Sequence, residues 1–181
     1  MHKRAQDLIS ELRLQPHLEG GYFREVFRSP HNVQPLDERS ARSALTTIYF
    51  LLIKGQYGRW HRVASNETWH FYEGDPLEVY WIDDQDALHR ELLGTGTSNV
   101  RPMCVVPAGG WQAARPLGEY SFLGCTVAPG FSSRILRCSP GGQQRWRTSR
   151  RCVPSLPNSP KWIMPQLMLT RRWTNEQMFE V

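Results

Sequence analysis

The chain has no apolar stretch long enough to cross a bilayer: its longest, Ile48–Ile53, spans six residues, where a membrane helix needs about twenty. No signal-peptide-like apolar segment opens it, so a soluble, cytoplasmic protein without membrane contact is expected. Cysteine is sparse and unpatterned. Cys104, Cys125, Cys138 and Cys152 show no Cys-x-x-Cys spacing; no disulfide is signalled, and Cys104 and Cys125 fall in expected strands, where free cysteine acts as a small hydrophobe. Acidic residues are missing altogether from 132 to 175. The net charge of +5 therefore has one source: residues 1–131 carry 13 basic against 15 acidic side chains, and residues 132–181 carry nine against two. Basicity belongs to the tail, and the remainder is mildly acidic.

What is present fits one domain with an extension, since 181 residues bury about two thirds of their unfolded surface in a single core. Ala5, Leu8, Ile9 and Leu12 recur at helical spacing and predict a short amphipathic helix over 4–13, lidding one end of the domain. Pro16 and Gly20-Gly21 end it. Strand alternation follows in 22–27, then a loop over 29–43. The nearly continuous apolar run 44–53 reads as a strand buried on both faces. Residues 57–63 and 68–72 are expected to form a hairpin about Ala64-Ser65-Asn66, and 77–82, 87–93, 103–106 and 120–127 complete about eight strands. An all-β barrel or sandwich over 1–131 is the expected fold class. From 132 to 181, serine, proline, glycine and arginine prevail without apolar period, and an irregular, poorly ordered basic tail is expected.

The stretch Trp60–Gly74 concentrates chemistry. His61, Glu67 and Gly74 match the first cupin motif, in which a His-x-His pair is followed by Glu and then Gly; Pro107-Ala108-Gly109-Gly110-Trp111-Gln112 has the form of the second. Val63 stands where the second histidine belongs, and Gln112 where the last one does. Leu14–Glu25, Ile48–Leu52 and Gly124–Phe131 resemble signatures of the fifth cupin family. The resemblance implies a double-stranded β-helix, that is, a cupin jelly-roll barrel, usually a homodimer, with a ligand pocket inside; it implies no particular reaction.

In cupins a metal is held by the two motif-one histidines, the glutamate and the motif-two histidine. Only His61 and Glu67 remain, valine donates nothing and an amide oxygen is a poor ligand for such metals, so no bound metal and no cofactor are expected. A metal-independent route stays open. His61 and Glu67 are candidate catalytic residues: the carboxylate would favour the imidazolium, an acid–base couple suited to sugar epimerisation or isomerisation. Against this stands a plain hydrogen bond inside a β-core. The candidate ligand-binding set is His61, Glu67, Gln112, Trp111, Trp69, His70, Tyr72, Arg59 and Arg62. The rings would stack a base or sugar and the arginines meet phosphate, so the expected ligand is a small molecule such as a nucleotide or nucleotide-sugar. Alternation sets Trp69 with Glu67 on the inner face and turns His70 and Tyr72 outward. The second class of function, nucleic-acid or polyanion binding by the tail, predicts only weak, non-specific association.

Overall fold

Alternation within Thr46–Ile53 sets the architecture. Ile48, Phe50 and Leu52 turn to one side of this strand, Tyr49, Leu51 and Ile53 to the other, and each side meets a different apolar cluster. That is why the run is apolar throughout. The computed structural model describes residues 1–37, 39–97, 99–132 and, as backbone, 136–138. A helix, α1 (Lys3–Glu11), precedes β1 (Gln15–Pro16), β2 (Tyr22–Arg28), β3 (Asn32–Val33), β4 (Arg42–Ser43), β5 (Thr46–Ile53), β6 (Gly58–Val63) and β7 (Asn66–Gly74). There follow β8 (Leu77–Ile82), β9 (Leu88–Leu93), β10 (Met103–Val106), β11 (Trp111–Pro116), β12 (Tyr120–Ala128) and β13 (Leu136–Cys138).

Two antiparallel sheets face each other, one ordered β1-β2-β5-β12-β7-β10 and the other β13-β6-β11-β8-β9, while β3 and β4 form a small separate hairpin within the expected loop. Successive strands from β5 to β8 change sheet at every step, which is the winding of a double-stranded β-helix. The expected hairpin about residues 64–66 is therefore corrected. β6 pairs with β11 and β13, and β7 with β12 and β10. The two-residue link carries the chain from one sheet to the other, so His61 and Glu67 approach the interior from opposite walls.

Between the sheets pack Phe50, Leu52, Trp69, Leu77, Val79, Leu93, Val106 and Leu123. The Trp69 indole has room because its cross-strand neighbours are two small residues, Cys104 and Cys125; both are buried free thiols. The helix does not lid the barrel. Ala5 and Leu8 pack with Leu14, Leu51 and Phe122 on the outer face of the larger sheet, and Arg4 donates to both oxygens of Glu73 at 2.9 and 3.0 Å. The amphipathic pattern identified the buried face of the helix, and the outward apolar residues of β5 and β12 supply what covers it.

Among the described residues no helix is long and apolar enough to cross a membrane. The expected irregular tail lies outside the described residues except for Ser132 and β13, a backbone strand that extends the smaller sheet beyond residue 131.

Candidate functional site

Two glycines deliver the first site residues. Gly20 and Gly21 have φ of +105° and +72°, a region open to glycine and costly for other residues; a Cβ on Gly20 would run into the Tyr57 carbonyl oxygen. The turn they form folds residues 17–21 against the barrel, where the Arg59 N–H donates to the Glu19 carbonyl at 2.7 Å. His17 and Glu19 consequently reach a cavity of about 200 Å³ between the sheets. Glu67 lies on its wall with Phe23, Ile48, Val63, Cys125, Val127 and Phe131, and Arg28 joins them.

Behind the cavity Gln112, 1% exposed, organises the polar groups. The Trp69 indole N–H donates to Gln112 Oε1 at 3.0 Å. An indole only donates, so this bond fixes the amide and turns its nitrogen the other way. Gln112 Nε2 then donates to Glu67 Oε2 at 2.5 Å and faces His61 Nε2 at 3.1 Å. His61 Nδ1 meets the Arg59 carbonyl at 2.8 Å. These partners define one tautomer: the proton sits on Nδ1, and Nε2 offers its lone pair to Gln112. Glu19 Oε2 lies 3.2 Å from the same Nε2 and 3.6 Å from His17 Nδ1, while His17 Nδ1 accepts from the Glu19 backbone N–H at 3.2 Å.

The electrostatics agree with this neutral network. Burial lowers the pKa of His61 to about 4, against the opposing bond to Arg59, and burial lowers His17 to about 4. Burial raises Glu67 to about 7, although the bonds from Gln112 and Cys125 oppose it. Glu19 is pushed well above the carboxylate range, first by burial and then by the charge of Glu67. The imidazolium–carboxylate pair expected of His61 and Glu67 is therefore corrected: Gln112 stands between them, and the imidazole is neutral because nothing repays its desolvation.

A metal does not fit these residues. Val63 presents methyl groups to the cavity, and an amide N–H, the positive end of its dipole, occupies the His61 lone pair that a metal would need. Among the described residues no three His, Cys, Asp or Glu side chains are grouped to hold one.

Of the nine candidate ligand-binding residues, Glu67 alone lines the cavity. His61, Gln112 and Trp69 form the hydrogen-bonded layer that supports it. The others lie elsewhere. Tyr72 is 47% exposed and packs edge-on to Tyr49 at 6.3 Å on the outer face; His70 turns outward beside Met103 and Gly124. Arg62 stacks over Trp111 at 5.3 Å, on the far side of the strands whose inward residues are His61 and Gln112. Arg59 contributes its backbone, and its side chain is exposed. Glu19 and His17 are additions that motif spacing could not supply. Their signal was the Gly20-Gly21 pair, which marks a close approach of backbones.

The model of the family described as Cupin superfamily (DUF985) matches residues 6–137. The chain is a fifth-family cupin. Solved relatives support the assignment. A hypothetical protein from Leishmania major is 35% identical over 74% of this cupin and 85% of its own chain, with a TM-score of 0.68. A protein from Shewanella oneidensis is 32% identical over 75% and 84%, with a TM-score of 0.67. Oxalate decarboxylase from Bacillus subtilis shares 17% identity over 68% of this cupin and 29% of its own chain, with a TM-score of 0.51, which is a likeness of fold alone. A comparison with curated proteins finds no match.

Proposed function

We propose that this cupin binds a small organic ligand in the cavity bounded by Glu19 and Glu67. The observation that carries the reading is a cavity of about 200 Å³ whose walls combine these carboxyls and His17 with Phe23, Val63 and Phe131. Glu19 and Glu67 are 7% and 8% exposed, and burying ionisable groups at this density is unfavourable for folding alone. Pockets enclosing drug-sized molecules run to roughly 300–1,000 Å³, so the ligand is smaller, about a monosaccharide or less. A nucleotide-sugar would fit by its sugar, with the nucleotide outside; Arg59, Arg62 and Trp111, which first favoured a nucleotide, lie away from the cavity, and the Trp69 indole is held by Gln112 in the layer behind it.

The polar groups also favour a ligand of little charge. A neutral Glu19 carboxyl both donates and accepts, neutral His17 is exposed to the same space, and the charged groups Glu25 and Arg28 on the wall compensate each other in an ion pair at 2.5 Å, so hydroxyl and carbonyl groups find partners while Phe23 and Phe131 cover an apolar face. Isothermal titration against hexoses, hydroxy acids, keto acids and nucleotides tests this. Saturable binding of a compound no larger than a hexose, weakened at least tenfold by Glu67→Ala, is expected; a preference for intact nucleotides that ignores this substitution would reject it. Pairing of two chains, proposed from family membership, is checked by light scattering, where a single monomer mass at all concentrations would exclude it.

A further inference from the structure

The helix α1 covers one end of the outer face of the larger sheet, against Leu51 and Phe122. Toward the other end the outward positions of five adjacent strands stay open. One row across them runs Val105, Thr68, Thr126, Thr47 and Phe27, each the direct cross-strand partner of the next. The neighbouring row runs Met103, His70, Gly124 and Tyr49, and the Tyr72 ring lies against Gly124. None of these positions holds Asp, Glu, Lys or Arg. Arg24, which borders them beside Tyr49, is turned to the helix side, where it donates to the Leu12 carbonyl at 3.1 Å. The apolar members are open to water: Phe27 is 51%, Met103 48%, Tyr72 47% and Val105 46% exposed. The Thr47 and Thr126 hydroxyls bond each other at 3.1 Å, which lowers the cost of covering them. A contiguous uncharged face of this kind is rare on monomeric soluble proteins and marks a contact surface.

We infer that this face packs on the same face of a second copy of the chain, about a two-fold axis parallel to β12. The order of the residues selects that occupant. The row is symmetric about Thr126, with a threonine on either side and a large apolar residue at either end. A half-turn about an axis along β12 sets Thr126 on Thr126 of the partner subunit, Thr68 on the partner's Thr47 and Val105 on the partner's Phe27. Such an axis keeps the strands of the two sheets nearly aligned, as in face-to-face sheet packing. It also brings every group on the axis against itself, which a charged face would resist and this one does not. Beyond the two rows the Asn66–Ala128 pair adds a third. Five strands at about 4.8 Å and three rows at about 6.8 Å give a face of about 24 by 20 Å. Two copies together then cover roughly 1,000 Å², the lower bound of a specific interface, so a dimer that dissociates in the micromolar range is expected. The inference rests on the pairing proposed above from family membership and gives it a location and a register.

Sedimentation velocity of the full chain, from about 1 to about 100 μM, tests it. Wild type should pass from monomer to dimer across this range. Thr126→Arg, which sets two guanidinium groups against each other on the axis, should raise the dissociation constant at least a hundredfold, while Leu88→Arg, at an exposed apolar residue of the other sheet, should leave it unchanged. Register is read from a rescue. Val105→Glu and Phe27→Lys should each weaken the dimer at least tenfold alone, and an equimolar mixture of the two should restore it, because Glu and Lys then meet across the axis. Both positions are about half exposed, and circular dichroism would check that each variant folds. Wild type that stays monomeric at every concentration overturns the pairing and its location together. A dimer that survives Thr126→Arg, or that dissociates on Leu88→Arg, overturns the location and leaves pairing standing. A mixture that stays monomeric overturns the register.

Discussion

Replacing Glu67 by glutamine should make the protein more stable in alkaline solution, by an amount that depends on pH in a specific way. In the folded chain burial raises this carboxyl to about 7, from an ordinary 4.5. Below pH 4.5 both states hold the proton. As pH rises from 4.5 to 7 the unfolded chain releases it and the folded chain keeps it, so the stability this group contributes is lost progressively. The span of 2.5 units, at about 1.4 kcal/mol per unit, amounts to about 3 kcal/mol. His61 and His17 work in the opposite direction, since both are lowered from 6.5 to about 4 and their contribution disappears as pH falls through that range. The two trends offset each other between 4.5 and 6.5, so the wild-type profile alone does not isolate Glu67. The difference between wild type and Glu67→Gln does. Urea unfolding at intervals from pH 4.5 to 8 should show the variant level with wild type at the acid end and about 3 kcal/mol more stable at pH 8. A difference that stays constant across this range would refute the reasoning, because it would mean that Glu67 titrates alike in both states.

Three further outcomes follow from the geometry. Gln112→Leu keeps the volume and leaves the Trp69 N–H, Glu67 Oε2 and His61 Nε2 without their partner, so denaturant melts should show a loss of roughly 2–5 kcal/mol. Gly20→Ala places a side chain at φ +105° against the Tyr57 carbonyl, and thermal unfolding should register about 1–3 kcal/mol of strain together with weaker ligand binding, because Glu19 moves with the turn. Leu8→Ala removes a buried helix residue from the outer face of the larger sheet; a loss of about 2–5 kcal/mol in chemical denaturation is expected, with ligand affinity unchanged because the helix lies away from the cavity.

The barrel was legible where burial imposes a period. The continuous apolar run of β5 announced a strand covered on both faces, and the helical spacing of Ala5, Leu8, Ile9 and Leu12 announced α1. Periodicity identifies which face is buried and not what buries it, so the helix was expected at the barrel end and lies on a sheet. The link after Val63 has the length of a hairpin turn, and nothing in the local residues tells a turn between paired strands from a crossing between sheets. Within the site, parity could have sorted the aromatic and basic residues. With His61 and Val63 inward, Arg62 is outward, and with Gln112 inward so is Trp111. Glu19 was beyond such reasoning. Its burial depends on a glycine turn meeting the backbone of Tyr57 and Arg59, a contact across nearly forty positions of sequence, and an acidic side chain beside a turn is ordinarily solvated.

Filling the cavity tests the account most directly. Val63→Phe adds a ring to the wall without touching the Glu67–Gln112–His61 bonds. Thermal shift of wild type and variant would be measured side by side against hexoses, hydroxy acids, keto acids and nucleotides. The account predicts that at least one compound of hexose size or smaller raises the melting temperature of the wild type in a saturable way and leaves the folded Val63→Phe protein unmoved. Equal stabilisation of both proteins, or no stabilisation of the wild type by any compound of that size, would contradict the claim that this cavity is the binding site.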